Sequence, residues 1–348
     1  MVADVAKVET AQASAAHTSV THINKVQPRR TMPTFSNDFH VTSQALQLRV
    51  FERGWLSSNG ALFQAEDNNC LVDTGYATHA DQTVALVASA LGTEPLHQVV
   101  NTHLHSDHCG GNAALSTRYP GLRISIPPGQ SKAVERWDTE ALSYRPTGQM
   151  CPRFAFSATL QPGQLIRLGL SEWEVHSAKG HDPHAVILYQ PEHGVLLSAD
   201  ALWENGFGVV FPELDGIDAF DEVGGTLDLI ESLAPRYVLP GHGTVFTDLP
   251  NALQRARTRL AQFQNDPAKH RRHAVKVLLK FKLLEWQQTN LVSLANWFKE
   301  TAYFQTIAPF DGMDPSDQDS ITQYLKSLVA DLQKVGAATF DGNIIRNR

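Results

Sequence analysis

Cysteine is scarce. Cys70, Cys109 and Cys151 are the three in 348 residues. Their odd number and wide spacing argue against a disulfide framework and favour a reducing compartment, the cytoplasm. Long apolar runs are also missing. No stretch reaches the ~18 consecutive apolar residues of a membrane-spanning helix, so no membrane partner is expected. The N-terminal stretch lacks a continuous apolar segment and carries Asp4, Lys7 and Glu9 early, which does not read as a secretory signal. Positive charge is scarce over most of the chain. Residues 251–300 carry +7 and residues 301–348 carry −2, so the overall −7 leaves −12 for residues 1–250. An acidic body does not draw in a polyanion at long range.

Histidine, by contrast, is present at fifteen positions, and it clusters. The run Asn101-Thr102-His103-Leu104-His105-Ser106-Asp107-His108-Cys109-Gly110-Gly111 puts three histidines and an aspartate within six positions. Imidazole nitrogen and carboxylate oxygen ligate divalent transition metals, and so many polar groups together are costly unless something compensates them. His103 and His105 share one side of an extended chain, whereas Asp107 and His108 are adjacent and point elsewhere. That spacing suits two metals. Two metals need more ligands, and three later turns offer them, each after an apolar strand-like run. They are Lys179-Gly180-His181-Asp182-Pro183-His184, Asp200 after Val195-Leu196-Leu197-Ser198-Ala199, and Pro240-Gly241-His242-Gly243. Positions just past strand ends are where α/β folds place chemistry.

These residues resemble the metallo-β-lactamase superfamily of metal-dependent hydrolases. The His-x-His-x-Asp-His block, the later Gly-His, the Asp closing an apolar strand and the Pro-Gly-His-Gly turn occur in family order, and Leu71-Val72-Asp73-Thr74-Gly75 is similar to the family's early strand and turn. The resemblance covers roughly residues 40–248. It implies an α+β fold, an αββα sandwich of two sheets with helices on their outer faces. It also implies that His103, His105 and His181 hold one metal, that Asp107, His108 and His242 hold the other, and that Asp200 bridges both. Two Zn2+ are expected, with iron or manganese as the alternatives. Such a pair shares a water and lowers its pKa to about 7. The resulting hydroxide is the expected nucleophile, oriented by Asp107. Asp73 either orients a ligand by hydrogen bonding or caps a turn. His184 is expected to line the pocket and Cys109 to pack. His17, His22, His40, His79, His97, His176 and His193 read as ordinary surface or core residues.

Around the block, residues 45–51 alternate like a strand, 60–65 and 70–73 like a hairpin, and 83–90 like a helix with Val84, Val87 and Ala88 on one face. Residues 127–163 break the pattern. With Tyr144, Arg145 and Arg153 they read as a lid over an organic substrate with a polar or negative group, and Trp203 lies in the loop expected to face it. Three parts follow: a flexible arm (1–38), a catalytic domain (39–250) and a helical tail domain (251–348). In the tail, residues 252–264 read as a linking helix and 270–285 as an amphipathic helix. Asn290 caps a second helix. Ser320 caps a third, ended by Gly336, and residues 338–345 form a hairpin with an Asp-Gly turn. Three helices and a hairpin resemble a winged-helix module. The third helix would enter a DNA groove, yet it bears only Lys326 and Lys334 against Asp331. Arg271, Arg272, Lys276, Lys280 and Lys282 sit on the first. Nucleic acid is therefore disfavoured as a partner, and a solvated face, homodimer formation or pocket closure fits better.

The superfamily's β-lactamases generally lack the bridging carboxylate, whereas its thioesterases, lactonases and phosphodiesterases have it. Asp200 thus points to hydrolysis of a small-molecule ester or thioester, similar to glyoxalase II or a lactonase. The alternatives are a phosphodiesterase or ribonuclease of the same superfamily and a catalytically silent metal-binding signalling protein.

Overall fold

The inner strands of the two large sheets alternate between two buried faces rather than between core and water, which is why they are short, nearly continuous apolar runs. The structure is a computed structural model and describes residues 37–348. One sheet has the order β1 (Leu48–Phe51), β2 (Gly60–Phe63), β3 (Cys70–Val72), β4 (Gln98–Val100), β5 (Arg123–Ile126), β6 (Ala158–Thr159). Its first three strands are antiparallel and β3 to β6 run parallel. The second sheet has the order β11 (Tyr237–Pro240), β10 (Val195–Ala199), β9 (Val186–Gln190), β8 (Ser171–Ser177), β7 (Leu165–Leu168). All its pairs are antiparallel except β10–β11.

Between the sheets, Phe63, Val72 and Val100 meet Trp173, Val175, Leu188 and Leu197, with the Phe63 and Trp173 rings edge-on at 5.1 Å. Their strand neighbours point the other way. Leu71, Val99 and Ile124 pack with Val87, Leu91 and Leu115 from the helices Ala80–Leu91 and Asn112–Arg118. Ile187, Leu196 and Val238 pack with Leu227, Ile230 and Leu253 from the helices Phe220–Leu233 and Leu249–Asn265. A period of two over two cores yields the expected αββα layering, each fully buried aliphatic side chain contributing about 1.5–3 kcal/mol.

In the tail, the helices Pro267–Trp286, Leu291–Glu300 and Gln318–Lys334 enclose a core that includes Leu279, Leu294, Phe298, Phe304 and Leu328. A three-stranded sheet flanks it in the order β12 (Gln288–Asn290), β14 (Ile344–Asn347), β13 (Ala338–Phe340). Asn290 caps its helix, its side chain accepting from Ser293 N at 2.9 Å. The last helix differs from expectation. It starts at Gln318, and Asp317 accepts from the Asp319 and Ser320 N–H groups, so Ser320 sits inside the first turn. A carboxylate just before the helix reaches the free N–H groups that a hydroxyl within it cannot. Phe211 and Leu214 pack on this same core, and Asn37–Arg348 is one compact unit.

The segment 127–163 carries the short helices Ser131–Arg136 and Tyr144–Thr147 before β6, too brief to show a helical period in sequence. The expected flexible arm, residues 1–38, lies outside the described residues except for its last two, which open the helix Asn37–Ala45. Among the described residues no helix is long and apolar enough to cross a membrane.

Candidate functional site

Five strands deliver the site from their C-terminal ends: β3 leads to Asp73, β4 to the 103–108 block, β8 to His181, β10 to Asp200 and β11 to His242. Asp73 and Ala199 take positive φ values, 57° and 46°, a conformation uncommon outside glycine. These sharp turns end β3 and β10 and leave Asp73 and Asp200 facing the histidine block. Two glycines make room. A Cβ on Gly241 would fall 2.2 Å from Asp200 Oδ1, and one on Gly208 would fall 2.3 Å from His181 Nδ1, so no larger residue fits without displacing those side chains.

The seven expected ligands come together as two groups. His103, His105 and His181 form one, and Asp107, His108, Asp200 and His242 the other, with the ligand atoms of each group within 4.8 Å of one another. His105 Nδ1 lies 3.1 Å from His103 Nε2 and 2.9 Å from His181 Nε2. Asp200 stands between the groups, 3.5 Å from His181 Nε2 and 3.4 Å from His108 Nε2. Asp107 Oδ2 is 3.1 Å from His242 Nε2.

The surrounding hydrogen bonds determine where the protons sit. Thr102 donates to Asp73 through its N–H at 2.9 Å and its hydroxyl at 2.8 Å. The hydroxyl oxygen is then an acceptor for His103 Nδ1 at 3.2 Å. His181 Nδ1 donates to the Val209 carbonyl, and His108 Nδ1 donates to Asp73 Oδ2 at 2.8 Å. In His103 and His181 the outer nitrogen is engaged and Nε2 keeps a lone pair aimed into the site, and His108, its outer nitrogen held by Asp73, likewise turns Nε2 inward. His105 Nδ1 can donate to only one of its two neighbours, and His108 Nε2 is buried with no hydrogen-bond partner. Imidazole nitrogens and carboxylates converging with too few hydrogen-bond partners among themselves fit a cation as their common partner.

The electrostatics agree. Burial, reinforced by neighbouring imidazoles, holds His103 well below its ordinary pKa and brings His181 down to about 4. Burial works against a charge on His108, yet Asp200, Asp73 and Asp107 outweigh it and raise that pKa well above the ordinary value. Asp200 stays well below the usual carboxylate range despite burial, because of His242 and His108. Buried Asp73 and Asp200, with the partly exposed Asp107, therefore call for positive charge at the second group. A divalent cation answers that need better than a single imidazolium proton.

A pocket of about 80 Å3 lies over both groups, lined by Trp55, Trp203, Phe211, Gln149, Val277 and Phe281 among others. Trp203 donates from Nε1 to Asp200 Oδ1 at 3.2 Å, and Trp55 stacks on His242 at 5.4 Å. From the expected lid, Ser143, Thr147 and Gln149 reach this pocket. Tyr144, Arg145 and Arg153 do not line it. Tyr144 is buried with its hydroxyl 3.2 Å from Cys109 Sγ, Arg145 pairs with Glu140, and Arg153 donates to the Glu135 carbonyl. His184 packs against Gly129 instead. Cys109 is fully buried beside Cys151. Sequence reasoning missed Trp55, Val209, Phe211 and Asp182, whose carboxylate is 3.7 Å from His105 Nε2. Asp182 was legible as the neighbour of His181, whereas nothing in the sequence links Trp55 to His242.

Residues 53–242 match the model of the metallo-beta-lactamase superfamily. The chain is 31% identical over 165 residues to a hydroxyacylglutathione hydrolase from Synechococcus sp. (strain JA-3-3Ab), across 46% of this chain and 56% of that protein. It is 25% identical over 222 residues to the acyl-coenzyme A thioesterase MBLAC2 of Gallus gallus, across 58% of this chain and 77% of that one. The chain thus spans little more than half the length of the first of these relatives. A metallo-beta-lactamase family protein of known structure from Thermus thermophilus shares the fold, with a TM-score of 0.50 and 19% identity over 86% of this chain and 98% of that one. With the family model matched over more than half of its length and the ligand block inside that match, the chain belongs to the metallo-beta-lactamase superfamily.

Proposed function

We propose that this protein is a metal-dependent hydrolase of small esters or thioesters. The observation that carries the proposal is the pair of converging ligand groups with Asp200 between them. His103, His105 and His181 would hold one ion, Asp107, His108 and His242 the other, and Asp200 faces both. Nitrogen and carboxylate donors suit Zn2+. When bound, the ions supply an activated water and polarise the scissile carbonyl.

The chain's own residues do the rest. Asp73 and the Val209 carbonyl fix the ring orientations of His108 and His181. Asp107, with 14% of its side chain exposed, reaches the pocket and can accept a hydrogen bond from the attacking water. Trp55, Trp203 and Phe281 offer apolar surface to the acyl group where they line the pocket. The water oxygen bonds to the acyl carbon, the bond to oxygen or sulfur breaks with its electron pair on the leaving atom, and that atom takes the released proton. Two relatives named for thioester substrates support a thioester over a lactone. We read residues 251–348 as a winged-helix-like module that closes the pocket rather than reads nucleic acid, a reading supported by Val277 and Phe281 in the pocket wall.

The test is a panel of thioesters, lactones, a phosphodiester and RNA. Acyl substrates should turn over, lose activity on chelation and regain it with Zn2+. Cleavage of RNA with every acyl substrate inert would overturn the proposal.

A further inference from the structure

The concavity does not end over the ligand groups. Past Trp55, Trp203 and His242 it continues into a second cavity of about 500 Å3, and the two also share Val209, Val277 and Phe281. One side of this cavity is an apolar strip of Val277, Phe281, Leu284, Leu332 and Val335. The cations at its wall are Arg259, Lys276 and Lys280, and the acidic neighbours are Glu204 and Asp331.

These charges are not equivalent. Lys280 is committed to the fold, donating to the Ala337 and Arg348 carbonyls at 2.7 and 2.9 Å. Asp331 is engaged by Arg272 at 2.9 Å and Lys334 at 3.4 Å, leaving Lys276 a longer 3.9 Å approach. Glu204 is exposed and forms no ion pair among the described residues. Arg259 is half-buried and has neither a hydrogen bond nor an ion pair with any described residue. Its guanidinium rests on the Gly206 backbone, where a Cβ would fall 2.3 Å from Nη1. A partly desolvated guanidinium without a counter-charge gains more from an anionic ligand than a solvated one does. Burial lowers its pKa in the same sense.

We propose that this cavity seats the leaving-group carrier of the substrate, a thiol whose far end is anionic, with its linker against the apolar strip and its charge on Arg259 and Lys276. The inference rests on the acyl-hydrolase reading and narrows it to thioesters of anionic thiols. The anion is a phosphate or a carboxylate, and both are met by the same guanidinium.

The experiment uses the metal-loaded full-length chain. It compares kcat/KM for an acyl-coenzyme A, an acylglutathione and the uncharged N-acetylcysteamine thioester of the same acyl group. Calorimetric titration with free coenzyme A and free glutathione runs in parallel. The wild type should prefer one anionic thioester over the uncharged one by about tenfold or more, the worth of one charge-assisted contact. Arg259→Met should collapse that ratio and weaken binding of the matching free thiol by a similar factor. Arg259→Lys should restore part of both, and Lys276→Met, which does not depend on Arg259 folding correctly, should lower both. Lys326→Met, at an exposed lysine outside the cavity lining, should leave the ratio alone. A preference for phosphate over carboxylate, or the reverse, identifies the carrier. Efficient thioester hydrolysis with no charge preference, or a ratio unmoved in both Arg259→Met and Lys276→Met, would sink the inference and leave the acyl-hydrolase reading standing. No thioester turnover together with Arg259-dependent thiol binding would do the opposite.

Discussion

Asp73 illustrates how one buried side chain sets the chemistry of others. It accepts from the Thr102 N–H, the Thr102 hydroxyl and His108 Nδ1, and so fixes which His108 nitrogen faces the metal site. An amide there must offer N–H toward one of these donors. Asp73→Asn is expected to weaken metal affinity about 10–100-fold, read by chelator competition, while circular dichroism stays native. His105→Ala and Asp200→Ala should each lower metal content, by elemental analysis, together with acyl hydrolysis. Activity persisting in metal-free protein would refute the mechanism. At this scale much was legible. His-x-His-x-Asp-His carries its meaning in adjacent positions, because neighbours in sequence are neighbours in space. Tyr144, Arg145, Arg153 and His184 were chosen by residue type and position along the chain, and neither says which way a loop side chain points.

Between elements, two sets of polar contacts help join the tail helix Pro267–Trp286 to the rest of the fold. The first is a buried pair, Lys282 with Glu285 at 2.7 Å. Lys282 also donates to the Gly148 carbonyl at 2.7 Å, and Tyr76 donates to Glu285 at 3.0 Å while accepting from Met150 N. Lys282→Met would strand a buried carboxylate and a carbonyl, costing about 3–5 kcal/mol in urea denaturation. Adding Glu285→Leu should recover part of that. The second contact is His270, 1% exposed, whose Nε2 accepts from Val210 N at 3.2 Å between the rings of Phe220 and Phe263. Burial, with Arg271 adding to it, lowers its pKa to about 4. The unfolded chain, with an ordinary value near about 6.5, therefore takes up the proton first as pH falls. Stability associated with His270 is complete above that value and drains away between it and about pH 4. His270→Gln should flatten this limb of the denaturation midpoint against pH, and an unchanged slope would show that His270 does not titrate there. The amphipathic period made the helix readable. Its partners were not, since Lys282 resembles any solvated helix lysine in sequence, and only the fold sets the Gly148 carbonyl of the 127–163 segment against it.

For the molecule as a whole, residues 37–348 form one compact unit, and Phe211 and Leu214 pack on the tail core. Unfolding of the metal-loaded protein, followed by tryptophan fluorescence and far-ultraviolet circular dichroism, should give coincident transitions. Two separated transitions would mean that the tail folds on its own. Stripping the metal should lower the midpoint, because the ions bind the folded state alone and their removal leaves lone pairs and carboxylates buried without a partner. The sequence by itself determined which side chains could hold a metal, and the layering. Ligand identity is a property of residue type and local spacing, and a sandwich follows from strands that are apolar on both faces. Only the tertiary structure decided what surrounds the ligands: which tryptophans flank His242, which residues of the 127–163 segment reach the pocket, and that Arg259, unlike the cavity's lysines, has no partner among the described residues. Those facts depend on the packing of segments far apart along the chain, and no local pattern encodes such distances.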